Sequence, residues 1–221
     1  MRIALIHAMK HSIAPTEDAF RRLWPDVRLM NLLDDSLSVD RAREGSLSPA
    51  MTQRFLALAR YAVGAGAEGI LFTCSAFGPC IEACRYELAP LAVSKPNEAM
   101  IEEAVARAGP SARIGLLATF APMLASMPAE FAAVAPALTV VPCLAAEALP
   151  ALDRGDAVAH DRAAAAAATA LRGCDLIVLG QFSLARAAPL VAEATGTTVL
   201  TTPDSAVRKL KTLLIPAAKA A

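Results

Sequence analysis

The stretch that decides the fold is residues 69–78, GILFTCSAFG. It begins with a run of apolar residues and ends in a small polar cluster, Thr73-Cys74-Ser75. Apolar residues at successive positions are typical of a strand that is covered on both faces, as in a parallel sheet flanked by helices. The segment therefore predicts a buried strand with a cysteine at its carboxyl end.

Outward from this strand, short aliphatic runs alternate with longer amphipathic stretches along the whole chain. Eight predicted strands separated by helices imply parallel pairing, because each crossover helix returns the chain to the same edge of a sheet. The predicted fold class is therefore α/β. Residues 31–48, which are polar and rich in Asp and Ser, are expected to form a loop or lid. His160 is expected to be exposed on a surface helix.

The second half of the chain repeats the layout of the first. Residues 64–78, GAGAEGILFTCSAFG, and residues 171–185, LRGCDLIVLGQFSLA, both predict a helix end with Gly, an acid, a buried strand and a small polar cluster. The equivalent positions are Cys74 and Gln181, about half a chain length apart. We expect two similar lobes with a site between them. The predicted lobes are residues 1–94 plus 205–221 for the first and residues 95–204 for the second.

The composition excludes several classes of protein. The chain has 21 basic and 21 acidic residues, so it lacks the electrostatic footprint of a protein that binds nucleic acid or an anionic membrane. Hydrophobic residues make up 56%, too many for a disordered chain. The sequence contains no uninterrupted run of about 18 apolar residues, so it does not predict a membrane-spanning helix. The five cysteines are an odd number without the spacing of a disulfide framework, which predicts a reducing, cytoplasmic setting.

Residues that follow the predicted strands are the candidates for function, because ligands of parallel α/β sheets bind outside the carboxyl ends of the strands. Cys74 is the main chemical candidate, since backbone N–H groups at a helix start favour the thiolate. A buried cysteine that acts as a small hydrophobe is the alternative. The hydroxyl of Thr119 could help to bind a carboxylate at a helix start, or could be a plain N-cap. The same two interpretations apply to Ser12, Ser75 and Ser183.

Metal and nucleotide sites have little support in the sequence. His7 and His11 surround the end of the first predicted strand and could ligate a metal or act as acid–base groups, or simply donate hydrogen bonds in a loop. Cys80 and Cys84 lie four residues apart, but their spacing from Cys74 is unusual for zinc. Neither a glycine-rich phosphate-binding motif nor G-x-S-x-G is present. We expect no metal and no cofactor.

Three segments, taken in order, resemble the aspartate/glutamate racemase superfamily, which includes hydantoin racemases, arylmalonate decarboxylases and maleate isomerases. They are ILFTCSAFGP (70–79), RIGLLATFAP (113–122) and LIVLGQFSLA (176–185). The resemblance covers nearly the whole chain through its order of strands. It implies two Rossmann-like lobes, each with a four-stranded parallel sheet, related by a pseudo-two-fold axis and with the site in the cleft between them. It also implies a cofactor-independent enzyme that acts at a carbon next to a carboxylate, often as a homodimer.

Typical racemases of this group have one cysteine at the end of the pivotal strand of each lobe. Cys74 matches the first, but Gln181 stands where the second is expected, and a neutral amide neither removes nor returns a proton well. The resemblance implies that Ser75 and Thr119 hold the substrate carboxylate, and Ser12 is a weaker match to the substrate loop. The other expected substrate contacts are Ala76, Phe120, Gln181, Phe182 and Ser183. The candidates for a second acid or base are His7, His11 and Asp204.

The predicted function is proton transfer at the carbon next to the carboxylate of a small acid or amino acid, as in a racemase, with Cys74 as the acid–base thiol. Two alternatives stay open. One is a one-cysteine decarboxylase or cis–trans isomerase of a small dicarboxylate, in which Gln181 is a hydrogen-bonding substrate contact. The other is a non-catalytic protein that binds small acids. The expected partners are the small carboxylate or amino-acid substrate and a second copy of the chain.

Overall fold

The computed structural model describes residues 1–215, which form two compact units. Unit 1 comprises Met1–Pro96 and the described residues from Ala206 onward, and unit 2 comprises the residues between them. Each unit contains one four-stranded sheet in which every pair of neighbouring strands is parallel. The predicted α/β class and the two parallel four-stranded sheets are thus confirmed. Residues 216–221 of the predicted first lobe lie outside the described residues.

Unit 1 alternates strands and helices from its first residues, and its sheet has the order β2-β1-β3-β4. Its elements are β1 (Arg2–His7), α1 (Ile13–Leu23), β2 (Arg28–Leu33), α2 (Ser36–Glu44), α3 (Pro49–Gly64), β3 (Gly69–Phe72), α4 (Gly78–Glu87) and β4 (Ala92–Ser94). Short 3-10 helices cover Lys10–Ser12 and Ser75–Phe77. Every residue of β3 is buried, as the apolar run in the sequence predicts.

Aromatic side chains hold the turn that follows β3. Phe77, in the 3-10 helix directly after this turn, is buried and packs against Phe55 of α3, with ring centroids 4.8 Å apart. Phe55 also stacks on Phe72, the last residue of β3, at 5.4 Å. Buried aromatic pairs in these geometries contribute about 0.5–1.5 kcal/mol each beyond the burial of their area. The residues between Phe72 and Phe77, including Cys74, are therefore anchored at both ends.

The prediction of a loop over residues 31–48 was wrong, since the segment is largely regular secondary structure. The segment continues β2 and then forms helix α2. Because Leu37 is the buried apolar residue of α2, the helix has no repeating pattern of apolar residues from which it could be predicted. Ion pairs hold α2 in place. Arg54 of α3 lies 2.6 Å from the carboxylate of Asp34 and 2.7 Å from that of Asp40.

Unit 2 repeats this plan with the sheet order β6-β5-β7-β8. Its elements are α5 (Glu98–Ala108), β5 (Arg113–Ala118), α6 (Ala121–Val134), β6 (Thr139–Leu144), α7 (Ala148–Asp153), α8 (Ala157–Ala168), β7 (Leu176–Leu179), α9 (Ala188–Thr195), β8 (Val199–Thr201) and α10 (Thr202–Leu214), which continues into unit 1. Short 3-10 helices cover Thr169–Leu171 and Phe182–Ala187. Within residues 1–215, no helix has the length and apolar character needed to cross a membrane.

His160 is fully buried, so the prediction that it is exposed was wrong. Its Nδ1 lies 2.8 Å from a carboxylate oxygen of Asp161, and that same oxygen accepts a hydrogen bond of 2.8 Å from Arg186. The sequence of α8 is almost entirely alanine after this point, so no contrast between polar and apolar positions shows which face is buried. Since Arg186 belongs to the 3-10 helix after Gln181, this cluster ties α8 to that segment.

The two sheets match in register, which identifies equivalent residues. Ile6 of β1 pairs with Phe72 of β3 in unit 1, as Leu117 of β5 pairs with Leu179 of β7 in unit 2. Each pivotal strand ends at the second of these residues, so Cys74 and Gln181 both lie two residues beyond their strand. Cys74 and Gln181 therefore occupy the same structural position in their respective units.

Candidate functional site

Cys74 lies at the carboxyl end of the sheet of unit 1. Its backbone is extended, with φ −128° and ψ 117°, and the 3-10 helix starts at the next residue. The side chain is partly exposed. Protein nevertheless surrounds most of it, and this burial raises the pKa of the Cys74 thiol, while the N–H of Ala76, which donates to the sulfur, opposes the shift only in part. Burial thus works against the thiolate that the helix start was expected to favour.

The other four cysteines show no features of a metal or disulfide site, and all five are free. Cys80 and Cys84 are buried on α4, and burial raises the pKa of Cys84 to about 12. Burial also raises the pKa values of Cys143 and Cys174. Among residues 1–215 no three His, Cys, Asp or Glu side chains form a cluster that could hold a metal ion.

His7 ends β1 and is completely buried. Its Nδ1 lies 2.9 Å from the hydroxyl of Thr73, and its Nε2 lies 3.0 Å from the side-chain oxygen of Asn31. Burial lowers the pKa of His7 below its ordinary value, against weaker opposing effects of Asn31 and Glu17. Because both ring nitrogens already have partners, His7 has no nitrogen left to serve as the second acid or base.

The low pKa of His7 predicts a loss of stability in weak acid. A histidine in the unfolded chain titrates near 6.5, so below that pH the unfolded state binds a proton that folded His7 resists. The free energy of unfolding should therefore fall as the pH drops from about 6.5 toward the lowered folded pKa, by up to about 1.4 kcal/mol per pH unit. Urea unfolding of the wild type and of His7→Asn between pH 5 and pH 8 measures this, and His11→Asn is the matched control. Equal pH slopes in wild type and His7→Asn would contradict the prediction.

Hydroxyl groups without protein partners lie at the same edge of unit 1. Ser75 follows Cys74 and is partly exposed, and Ser12 ends the first 3-10 helix. Neither side-chain hydroxyl has a hydrogen-bond partner within the described part of the chain, although the carbonyl of Ser12 accepts from Thr16 at 2.6 Å. Both hydroxyls can therefore donate to a ligand. Ala76 is exposed and offers no polar side chain, and His11 is partly exposed in the same 3-10 helix as Ser12.

In unit 2, Thr119 and Gln181 are bonded to each other. The N–H of Thr119 donates to Oε1 of Gln181 at 2.6 Å, and the hydroxyl of Thr119 donates to the same oxygen at 2.9 Å. The two donors that were predicted to hold a substrate carboxylate are therefore occupied by Gln181. Two donors on Oε1 also fix the orientation of the amide. Its NH₂ group has no partner among residues 1–215, so Gln181 presents two free N–H donors.

The remaining candidates of unit 2 differ in exposure. Phe120, directly after Thr119, is 49% exposed, whereas Phe182 and Ser183 are buried. Asp204 is partly exposed in the first turn of α10, and its backbone N–H lies 3.3 Å from the hydroxyl of Thr201. None of these positions is equivalent to Cys74.

The structure thus brings the predicted residues together in two groups, one at the carboxyl ends of the strands in each unit. His7, Cys74 and Ser75 lie at the edge of unit 1, and Thr119 and Gln181 lie at the edge of unit 2. Sequence reasoning missed Asn31, which contacts His7 from β2. The available signal was a polar residue in the middle of the otherwise largely apolar strand RLMNLL.

Comparisons with known proteins identify the class of fold. No family model and no curated protein matches this sequence. Solved structures do match over nearly the whole chain, among them racemases and a decarboxylase, so this chain has the fold of those structures, as predicted.

Three of these structures show the extent of the likeness. Glutamate racemase isoform RacE1 from Bacillus anthracis is 14% identical, with a TM-score of 0.73 over 96% of this chain and 80% of that chain. An aspartate racemase homologue from Pyrococcus horikoshii OT3 is 17% identical, with a TM-score of 0.72 over 96% and 98%. A point mutant of arylmalonate decarboxylase is 20% identical, with a TM-score of 0.66 over 100% and 96%. At such identities the likeness shows the fold alone.

Proposed function

We propose that this protein is a cofactor-independent enzyme that protonates the carbon next to a carboxylate of a small acid, with Cys74 as its single catalytic thiol. The observation that carries the proposal is the difference between two equivalent strand ends. One presents a protonated thiol, and the other presents the amide of Gln181, with its oxygen held by Thr119.

A single thiol favours a reaction that needs one proton transfer to carbon. Racemisation by two bases requires one group to remove the α-proton and a second group to return a proton, and the neutral amide of Gln181 does neither. His7 is bonded to Thr73, the residue before Cys74, and both of its ring nitrogens are occupied. We therefore favour a decarboxylase-type lyase over a racemase.

The proposed step balances without a cofactor. A malonate-type acid loses CO₂, and the electrons of the broken C–C bond form an enediolate with the remaining carboxylate. Cys74 then gives its S–H proton to the carbon, and solvent returns a proton to the thiolate. Because burial raises the pKa of Cys74, the thiol starts the cycle in the protonated form that this step requires.

The free donors of the two sheet edges suit the charge that develops in this reaction. The hydroxyl of Ser75 lies next to Cys74 in sequence, and the NH₂ of Gln181 is oriented by Thr119. Prearranged donors stabilise a developing oxyanion strongly in a site from which water is excluded. In this proposal Gln181 contacts the substrate, and Thr119 positions Gln181 instead of binding the carboxylate itself.

A non-catalytic protein that binds small acids is the second candidate, because the raised pKa of Cys74 also fits an unreactive thiol. Cis–trans isomerisation is less favoured, since addition of sulfur to an alkene needs the thiolate. The enzyme would break and form bonds to carbon in its substrate, whereas the binding protein would leave its ligand unchanged. The experiment therefore measures chemical change in the added compounds.

Proton NMR in D₂O tests the proposal. The protein is incubated with an arylmalonate, maleate, a hydantoin and single enantiomers of Asp and Glu, and Cys74→Ala is treated in parallel. We expect decarboxylation of the malonate with one deuterium entering the product, and loss of this activity in the variant. Deuterium exchange with inversion of an amino acid would instead show a two-base racemase. Saturable binding with no turnover of any compound would show the binding protein.

A further inference from the structure

A chain of four side chains leads from the surface of unit 1 to the residue before Cys74. The hydroxyl of Thr73 lies 2.9 Å from Nδ1 of His7, and Nε2 of His7 lies 3.0 Å from the side-chain oxygen of Asn31. The amide nitrogen of Asn31 in turn donates to the carboxylate of Glu17 at 2.7 Å. Thr73 and His7 are both buried. The two members of this chain at its Thr73 end are thus the ones most shielded from water.

Each hydrogen bond in this chain has one direction. The carboxylate of Glu17 only accepts, so Asn31 donates to it with its NH₂ group and turns its oxygen toward His7. That oxygen also only accepts, so Nε2 of His7 carries the hydrogen. Nδ1 is then the unprotonated nitrogen and accepts the hydroxyl hydrogen of Thr73 at 2.9 Å, a shorter contact than the 3.4 Å from the same hydroxyl to the carbonyl of Ile6. Burial, which lowers the pKa of His7, agrees with this neutral form.

The chain fixes Thr73 from two directions. Its backbone N–H donates to the carbonyl of Ile6 at 3.1 Å, which continues the pairing of β1 and β3 by one residue. Its side chain is bonded to His7, which itself is joined to β2 through Asn31. Side chains therefore link the end of β1 and the residue after β3 to the middle of β2, and the next residue along the chain is Cys74.

Unit 2 contains the same backbone arrangement without the polar chain. There the N–H of Gly180 donates to the carbonyl of Leu117 at 3.0 Å, as Thr73 does to Ile6. The positions equivalent to His7, Asn31 and Thr73 are Ala118, Pro142 and Gly180. None of them has a polar side chain, so this fold completes the strand ends without such a chain. The polar chain occurs only in the unit that carries the thiol.

We propose that His7 and Thr73 are positioning residues for the thiol of Cys74. This inference rests on the proposed function for its effect on turnover. The bond between Thr73 and His7 holds the end of β3 in one conformation and so keeps the sulfur enclosed beside the N–H of Ala76. Neither residue supplies a proton, since the amide of Asn31 does not relay one between Glu17 and His7.

Thr73→Val, which removes the hydroxyl and keeps the shape, tests the proposal together with the conservative Thr73→Ser. One readout is the pH dependence of the alkylation of Cys74 by iodoacetamide, followed by peptide mass spectrometry. The other is kcat and KM for the substrate that the NMR experiment identifies. In Thr73→Val we expect alkylation near neutral pH to become about tenfold faster and kcat to fall about tenfold, with KM within about twofold, because a thiol freed from its position is more accessible but misplaced for reaction. Thr73→Ser should restore both values.

Thr52→Val is the matched control, because Thr52 contacts a different buried cysteine of unit 1, Cys80, at 3.5 Å. It should leave the alkylation of Cys74 unchanged. Wild-type alkylation and kcat in Thr73→Val would overturn the proposal. An equal rise in the alkylation of Cys80 would also overturn it, because it would show loosening of the whole unit. If Cys74→Ala keeps full activity, the proposed function fails, while the alkylation profile still decides whether Thr73 positions the thiol.

Discussion

Replacement of Cys74 by alanine is expected to lower kcat/KM by a factor of about 10²–10⁴, the range that a well-placed general acid contributes. The variant lacks the thiol that follows β3, and His7, which is bonded to the preceding residue Thr73, has no free nitrogen to take over its role. The fold should survive, because the substitution removes a single sulfur atom and alanine fits the extended backbone at this position. Initial rates on the substrate identified by NMR, with thermal unfolding of both proteins, measure the two effects.

Two further variants make this result specific. Cys143→Ala removes another partly exposed cysteine, in unit 2, and should keep the wild-type rate. Cys74→Ser replaces the thiol by a hydroxyl, which is smaller and a far weaker acid, so it should be nearly as inactive as Cys74→Ala. A Cys74→Ala protein that retained more than about a tenth of the wild-type kcat/KM would show that the thiol is not the proton donor.

The sequence predicted the parts of the site that depend on strand order. The apolar run of β3 and the small polar residues after it place Cys74 at a sheet edge, and the repeat of that layout places Gln181 at the equivalent position. Both inferences need only the period of the strands and the rule that ligands bind at their carboxyl ends. Helix α2 could not be predicted in the same way, since ion pairs to Arg54 hold it rather than an apolar face.

The contacts between side chains were beyond the sequence. Thr119 and Gln181 are 62 residues apart. The donors of Thr119, which were predicted to bind a substrate carboxylate, instead bind the amide oxygen of Gln181. His7 was a candidate acid or base until its burial and its two partners were known. The pKa of Cys74 likewise depends on how much protein surrounds the sulfur, which overrides the local backbone donor. Each of these properties comes from packing between segments distant in sequence.

Gln181→Cys is expected to abolish stereochemical control, because the reacting carbon would no longer be protonated from one face only. The substitution puts a second thiol at the position equivalent to Cys74, and it frees the N–H and hydroxyl of Thr119 that now bind the amide oxygen. Those donors can stabilise the new thiolate and so help it to exchange a proton. The wild type should give one enantiomer from a prochiral malonate, whereas the variant should give both. Racemisation of the isolated product should rise by about 10²-fold or more over the wild type.

Gln181→Cys both adds a thiol and removes an amide, and two further variants separate these effects. Gln181→Ala removes the N–H donors without adding an acid, so its KM should rise while its product stays a single enantiomer. The double variant Gln181→Cys/Cys74→Ala keeps only the new thiol and should not racemise the product, because two proton-carrying groups are required. Chiral chromatography of the products distinguishes these cases. If Gln181→Cys still gave one enantiomer, residue 181 would not act on the reacting carbon, and its identity would not explain why the protein uses one thiol.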